Sequence, residues 1–131
     1  MNSSPLVLII DPDPDSRQIL AAFLAHGGYR VEQAADAASG LEAARHHRPA
    51  VILGEHPLRL ADGQAVCAAL HSDPAMSDIP FIAVTANAML EEVDDAASTH
   101  AMVFTKPLDL PAVIRAVREL SVRSSQSSCA G

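Results

Sequence analysis

The 131-residue chain has the length of a single domain, and its 49% hydrophobic and 19% charged residues predict a folded core and not a disordered segment. Its formal net charge is −7 and it contains no Lys/Arg cluster, which argues against a nucleic-acid-binding face of its own. No apolar run reaches the roughly 20 residues needed to span a bilayer, and the first residues lack the pattern of a secretory signal. We therefore expect a cytoplasmic protein without membrane contact.

The first element is a continuous apolar run, Pro5–Ile10, which is typical of a strand buried on both faces. The run ends at Asp11. Asp13 followed by Pro14 predicts the start of a helix, because Asp accepts backbone hydrogen bonds there and Pro fits the first turn. Two glycines, at 27 and 28, end the helix, and its predicted apolar stripe consists of Ile19, Leu20, Phe23 and Leu24.

The same alternation of strand and helix patterns then repeats along the chain. The further predicted strands cover residues 29–33, 50–53, 79–84 and 102–104, and the further helices residues 36–45, 62–70, 87–97 and from about 109 onward. Five strands and five helices in alternation predict an α/β fold with a doubly wound parallel sheet covered on both faces. We expect residues 1–122 to form this domain and residues 123–131, which are poor in apolar side chains, to form a flexible tail.

Polar side chains appear where four of the predicted strands end. Asp11 follows the first strand, with Asp13 close by, and Glu55, Thr85 and Lys106 follow the third, fourth and fifth strands. Ligands of open parallel sheets bind at the carboxyl ends of the strands. The sequence therefore predicts that three acids, a hydroxyl group and a lysine meet at one edge of the sheet.

These segments resemble the receiver domains of bacterial response regulators, and the resemblance covers nearly all of residues 5–122. The family has an acidic pair and often a third acid after its first strand, a stretch from the phosphate acceptor to an Asp-Gly pair, a characteristic end of the fourth strand, and a lysine–proline signature. The matching segments here are Asp11–Asp13, Glu55–Gly63, Ile79–Ala86 and Phe104–Pro107.

The resemblance implies a flavodoxin-like sheet of strand order 2-1-3-4-5 and a role in two-component or phosphorelay signalling, with a sensor kinase or an output protein as partner. Asp11 and Asp13 would form the acidic pocket, and Thr85 and Lys106 would take the switch and phosphate-binding positions. The bond before Pro107 is typically cis in the family. The last two helices are the family's usual dimer surface, so a homodimer through them is one alternative and a solvated face the other.

Three positions depart from the family pattern. The phosphate acceptor is replaced by Glu55, whose extra methylene displaces its oxygens by about 1.5 Å, and in-line attack tolerates such a displacement poorly. Pro12 offers no carboxylate, which leaves Asp11, Asp13 and Glu55 as possible metal ligands, so we expect Mg²⁺ binding to be weak or lost. Val103 replaces the aromatic residue that rotates on activation. We therefore expect no required cofactor, no enzymatic activity, and action that is independent of phosphorylation.

Several alternatives stay open. Without a metal, Lys106 becomes the natural counter-charge of Glu55, and this pair either mimics the phosphorylated state or is a structural ion pair in a domain that no longer switches. Phosphorylation at another residue or control by a ligand is a further alternative. Asp11 and Asp13 are also similar to the nucleophile and the general acid/base of haloacid dehalogenase-like phosphatases, although no later acidic motif completes that site. A purely structural adaptor built on the receiver fold is the third possibility.

Overall fold

The structure is a computed structural model that describes residues 5–55, 58–61, 65–85, 102–106 and 108–130, with the backbone alone for Cys67, Met102, Val103 and residues 122–130. The strands are β1 (Leu6–Ile10), β2 (Arg30–Ala34), β3 (Val51–Glu55), β4 (Phe81–Thr85) and β5 (Met102–Thr105). The helices of this part of the chain are α1 (Pro14–His26), α2 (Ala37–His47), α3 (Val66–Ser72) and α4 (Leu110–Ala130). The helix predicted over residues 87–97 lies outside the described residues.

The five strands form one parallel sheet in the order β2-β1-β3-β4-β5. This confirms the predicted doubly wound fold and its strand order. The strand order reverses at β1, which pairs through Val7 with Val31 of β2 on one side and with Val51 of β3 on the other. The connections that leave β1 and β3 therefore run to opposite faces of the sheet, which opens a crevice between their carboxyl ends.

The side chains of β1 alternate between two apolar layers, because successive residues of a strand point to opposite faces. Leu8 and Ile10 lie in the layer that includes residues of α2 and α3. Val7 and Ile9 lie in the layer that includes residues of α1 and α4. A strand buried on both faces has no solvent side, which explains why its sequence is continuously apolar.

The buried face of helix α1 differs from the prediction at Ile19. Ile19 was expected to lie in the buried stripe, but 59% of it is exposed. The buried face of α1 is formed by Leu20, Ala21 and Leu24, and Ile19 is not part of it. The predicted start and end of the helix are confirmed: Asp13 is its N-cap and Gly27 follows its last residue.

One predicted helix start is also wrong. The third helix was expected to start at Asp62, a residue outside the described part, but α3 begins at Val66. The chain folds back before it, because the backbone N–H of Val66 donates to the carbonyl of Leu58 at 2.8 Å. The last helix continues through Ala130, and the division into a domain of residues 1–122 and a flexible tail of residues 123–131 stays a prediction. No proline or glycine interrupts residues 112–130, so no sequence signal stops the helix there.

No helix in the described part of the chain is both long and apolar enough to cross a membrane.

Candidate functional site at the carboxyl edge of the sheet

Four of the five predicted site residues come together at the carboxyl edge of the sheet. Asp11 follows β1, Glu55 ends β3, Thr85 ends β4 and Lys106 follows β5. Asp11 and Thr85 are buried, with 3% and 1% exposure. The backbone N–H of Lys106 donates to the carbonyl of Thr85 at 2.9 Å, which continues the pairing of the last two strands into the site. We call these four residues the carboxyl-edge pocket.

The two charged side chains at the mouth of the pocket form an ion pair. The Nζ atom of Lys106 lies 3.3 Å from Oε1 of Glu55, and each side chain is about one-third exposed (30% and 32%). Burial of its carboxyl group raises the pKa of Glu55; Lys106 opposes this effect, and the neighbouring carboxyl of Asp11 adds to it. The ammonium group of Lys106 thus partly compensates two acids that repel each other.

Asp13 belongs to the start of α1 more than to the pocket. Its Oδ2 accepts a hydrogen bond from the hydroxyl of Ser16 at 2.8 Å, and its Oδ1 accepts a longer one, 3.4 Å, from the backbone N–H of Asp15. The hydrogen bond from Ser16 is the main reason why the pKa of Asp13 is lowered. Both carboxylate oxygens therefore satisfy groups of the first helical turn, as expected for an N-cap.

The donor set of this edge does not fit Mg²⁺. The ion requires near-octahedral oxygen coordination and usually relies on one or two well-placed carboxylates. Pro12 supplies none, both oxygens of Asp13 serve the helix cap, and a lysine ammonium lies 3.3 Å from Glu55. Among residues 5–55, 58–61, 65–85, 102–106 and 108–130, no three His, Cys, Asp or Glu side chains are grouped so that they could hold a metal ion.

Arg17 is a site residue that the sequence analysis missed. Its Nη1 donates to the main-chain carbonyl of Asp11 at 2.8 Å, and its Nε donates to Oε1 of Gln33 on β2 at 3.1 Å. Helical periodicity does not single it out. The sequence feature that could have indicated Arg17 is its position near the N-terminus of a helix. The helix dipole disfavours a positive charge there unless the side chain has another partner.

An open groove of about 220 Å³ extends from the pocket along α1. Its polar end contains Asp11 and Lys106, and its other lining residues are Ser16, Ile19, Leu20 and Leu108.

The remaining predictions about the site fall in part outside the described residues. Pro107, the candidate for a cis peptide bond, is one of these, and Val103 is described by its backbone alone. Phe104 packs, partly buried, against the apolar layer that includes residues of α1 and α4. Phe104 therefore contacts the core, as predicted, but is not fully buried in it.

Comparison with known proteins agrees with this architecture. The model of the response regulator receiver domain family matches residues 7–118. The DNA-binding dual master transcriptional regulator RpaA of Synechocystis sp. is 32% identical over 126 residues, which cover 93% of this chain and 51% of that protein. Response regulator Rre1 of the same organism is 29% identical over 127 residues, which cover 95% of this chain and 55% of the relative. This chain thus spans about half the length of these curated relatives.

Solved structures with the same fold include a CheY-like receiver domain protein from Methanospirillum hungatei, with a TM-score of 0.84 at 22% identity over 95% of this chain and 99% of that one. The receiver domain of a sensor histidine kinase from Pseudomonas aeruginosa, solved with a magnesium ion in its active-site cleft, has a TM-score of 0.80 at 22% identity, with 91% and 98% coverage. With the family model matching most of its length, this chain belongs to the response regulator receiver domain family.

Proposed function

We propose that this chain is a receiver domain of two-component signalling that acts through protein–protein contacts and without phosphorylation. The observation that carries the proposal is the ion pair between Glu55 and Lys106. Glu55 matches the position of the phosphate acceptor and Lys106 the phosphate-binding position of the family. In this chain the two side chains bind each other.

Phosphoryl transfer depends on positioning and on compensation of negative charge. The longer side chain of Glu55 displaces the attacking oxygens by about 1.5 Å, and the cation beside it is a lysine that the carboxylate already contacts at 3.3 Å. The carboxylate that would complete a metal site is replaced by Pro12. All three features disfavour transfer of a phosphoryl group to Glu55.

The proposed partners are a sensor kinase or an output protein, in the cytoplasm. The domain is proposed to bind and not to catalyse, and its net charge of −7 disfavours direct contact with nucleic acid. The DNA-binding activity in the name of RpaA belongs to a protein about twice as long as the matched segment. A homodimer through the last two helices stays a prediction, since one of these helices lies outside the described residues.

The phosphatase alternative has less support. It needs Asp13 as a general acid/base, but Asp13 caps α1 through Ser16 and Asp15. The match to the receiver family over residues 7–118 also favours a signalling domain.

Intact-mass analysis after incubation with Mg²⁺ and a small-molecule phosphodonor tests the proposal. We expect no adduct of 80 Da, the approximate mass added by one phosphoryl group, on the wild-type chain. The matched control is the double variant Pro12→Asp with Glu55→Asp, which restores the family's acidic residues and should gain an adduct that is labile in both acid and base, as an acyl phosphate is. A wild-type adduct that disappears in Glu55→Gln would refute the proposal.

The two interpretations of Glu55 can be separated without a known partner. If the ion pair mimics the phosphorylated state, Glu55→Gln should shift backbone amide signals along β5 and α4, beyond the pocket. If the pair is only structural, the shifted signals should be confined to residues that contact positions 55 and 106. An adaptor without any switch predicts the second pattern.

A further inference from the structure

The segment that leads from β1 into α1, Asp11–Pro14, has an unusual backbone. Pro12 and Pro14 supply no N–H groups, so the two peptide units that precede them can be held only through the carbonyls of Asp11 and Asp13. Such a peptide unit keeps a fixed orientation only where a donor reaches its carbonyl.

Arg17 supplies the donor in both cases. Its backbone N–H donates to the carbonyl of Asp13 at 3.0 Å, and its guanidinium Nη1 donates to the carbonyl of Asp11 at 2.8 Å. The same guanidinium group is anchored by Gln33, whose Oε1 accepts from Nε at 3.1 Å. The planar guanidinium fork thus joins α1, the end of β1 and the edge strand β2.

The orientation of this segment fixes the carboxylate of Asp11. The backbone N–H of Asp11 donates to the carbonyl of Ala34 at 3.0 Å, and the Oδ1 of Asp11 accepts from the N–H of Asp13 at 2.9 Å. If the peptide between Asp11 and Pro12 rotates, the N–H of Asp13 moves away from this carboxylate. The hydrogen bond from Arg17 to the carbonyl of Asp11 opposes this rotation.

We propose that Arg17 is a positioning residue of the carboxyl-edge pocket: it fixes the peptide unit between Asp11 and Pro12 and so holds the Asp11 carboxylate beside Glu55 and Lys106. The positioning role of Arg17 adds to the proposed function. It rests on that function only in so far as the pocket takes part in signalling. The placement of Asp11 itself can be measured with no partner and no phosphodonor present, so failure of one proposal is distinguishable from failure of the other.

The test compares Arg17→Met, which keeps an unbranched apolar side chain without the guanidinium group, with Arg45→Met. Arg45 is an exposed arginine whose guanidinium lies 3.7 Å from the carboxylate of Asp73. The readout is hydrogen exchange of the Asp13 amide, together with the carboxyl carbon signals of Asp11 and Glu55. A residue that only stabilises the fold would lower global stability without a separate effect on these signals.

In Arg17→Met we expect exchange of the Asp13 amide to accelerate at least about tenfold beyond the change in global unfolding, which corresponds to the loss of one hydrogen bond to a charged group, about 1.4 kcal/mol. The carboxyl signals of Asp11 and Glu55 should shift as well. Arg17→Lys can still donate to the carbonyl of Asp11 and should restore part of the protection. Arg45→Met should leave all of these signals unchanged.

Two outcomes overturn the inference. The first is a folded Arg17→Met variant in which the Asp13 amide and both carboxyl signals keep their wild-type behaviour. The second is an equal change in Arg45→Met. If Arg17→Met does not fold, Gln33→Leu provides the test, because it removes only the anchor of the guanidinium group and should accelerate exchange of the Asp13 amide less strongly; unchanged exchange there would overturn the inference.

Discussion

The Nζ atom of Lys106 lies 3.3 Å from Oε1 of Glu55, although Glu55 ends β3, Lys106 follows β5, and β4 lies between these two strands. The pair spans the carboxyl end of β4, where Thr85 is buried. In a parallel sheet neighbouring strands are about 4.8 Å apart, so side chains from β3 and β5 meet only if both are long. Glutamate and lysine have that length, so the ion pair can form across the end of β4.

The raised pKa of Glu55 predicts a specific pH dependence of stability. Because the folded-state pKa lies above the ordinary value of 4.5, the neutral carboxyl contributes stability that is fully present below about pH 4.5 and is lost as the pH rises through the folded value. Glutamine cannot ionise. Urea denaturation should therefore show that Glu55→Gln gains stability relative to wild type as the pH increases from 4 to 7.

Lys106→Met provides the matched comparison for this effect. Lysine lowers the pKa of Glu55, so its removal should raise that pKa further and make the loss of stability with increasing pH steeper than in wild type. Parallel pH profiles for wild type, Glu55→Gln and Lys106→Met would contradict the assignment.

Mg²⁺ should have little effect on the wild-type chain and a measurable one on a restored site. Millimolar Mg²⁺ should leave the thermal midpoint of the wild type unchanged, since Pro12 replaces the second acid of the family's acidic pair and Glu55 contacts Lys106. The variant that combines Pro12→Asp with Glu55→Asp should gain stability with Mg²⁺ according to mass action, about 2.7 kcal/mol at an ion concentration 100 times the dissociation constant. Equal Mg²⁺-dependent stabilisation of both proteins would show that Pro12 and Glu55 do not weaken the site.

Gly54, which precedes Glu55 in β3, lies at a position where the fold leaves no room for a side chain. A Cβ atom on Gly54 would lie 2.5 Å from Cζ of Phe81, a fully buried side chain. Gly54→Ala should therefore destabilise the domain by about 1–3 kcal/mol, the usual cost of overpacking a core. Chemical denaturation measures this, and Phe81→Leu in the same chain should offset part of the loss. Additive effects of the two changes would contradict a direct clash.

Two neighbouring residues of α1 should differ sharply in their contribution to stability. Leu20 is 4% exposed, whereas Ile19 is 59% exposed. Leu20→Ala should lower the free energy of unfolding by about 2–5 kcal/mol, and Ile19→Ser should change it by no more than about 0.5 kcal/mol. A large loss of stability in Ile19→Ser would contradict the exposed position of Ile19.

Local patterns of the sequence account for the fold and for the residues of the pocket. Continuous apolar runs such as Pro5–Ile10 identify strands buried on both faces, and their alternation with helical patterns allows few topologies. Asp11, Glu55, Thr85 and Lys106 were predicted to meet because parallel strands present their carboxyl ends at one edge of a sheet. The replacement of the acceptor by Glu55 and of an acid by Pro12 can be read from the chain directly.

Only the tertiary structure decided which long-range contacts the site residues make. Asp13 is an exception, because its cap contact is with Ser16, three positions away in the same helical turn. Arg17 became a site residue through Gln33, sixteen positions away, and Lys106 meets Glu55 across 51 positions. Periodicity and capping are properties of short segments, whereas such pairings depend on strand order, side-chain length and the face that each helix buries. Those quantities are fixed only when the whole sheet has formed.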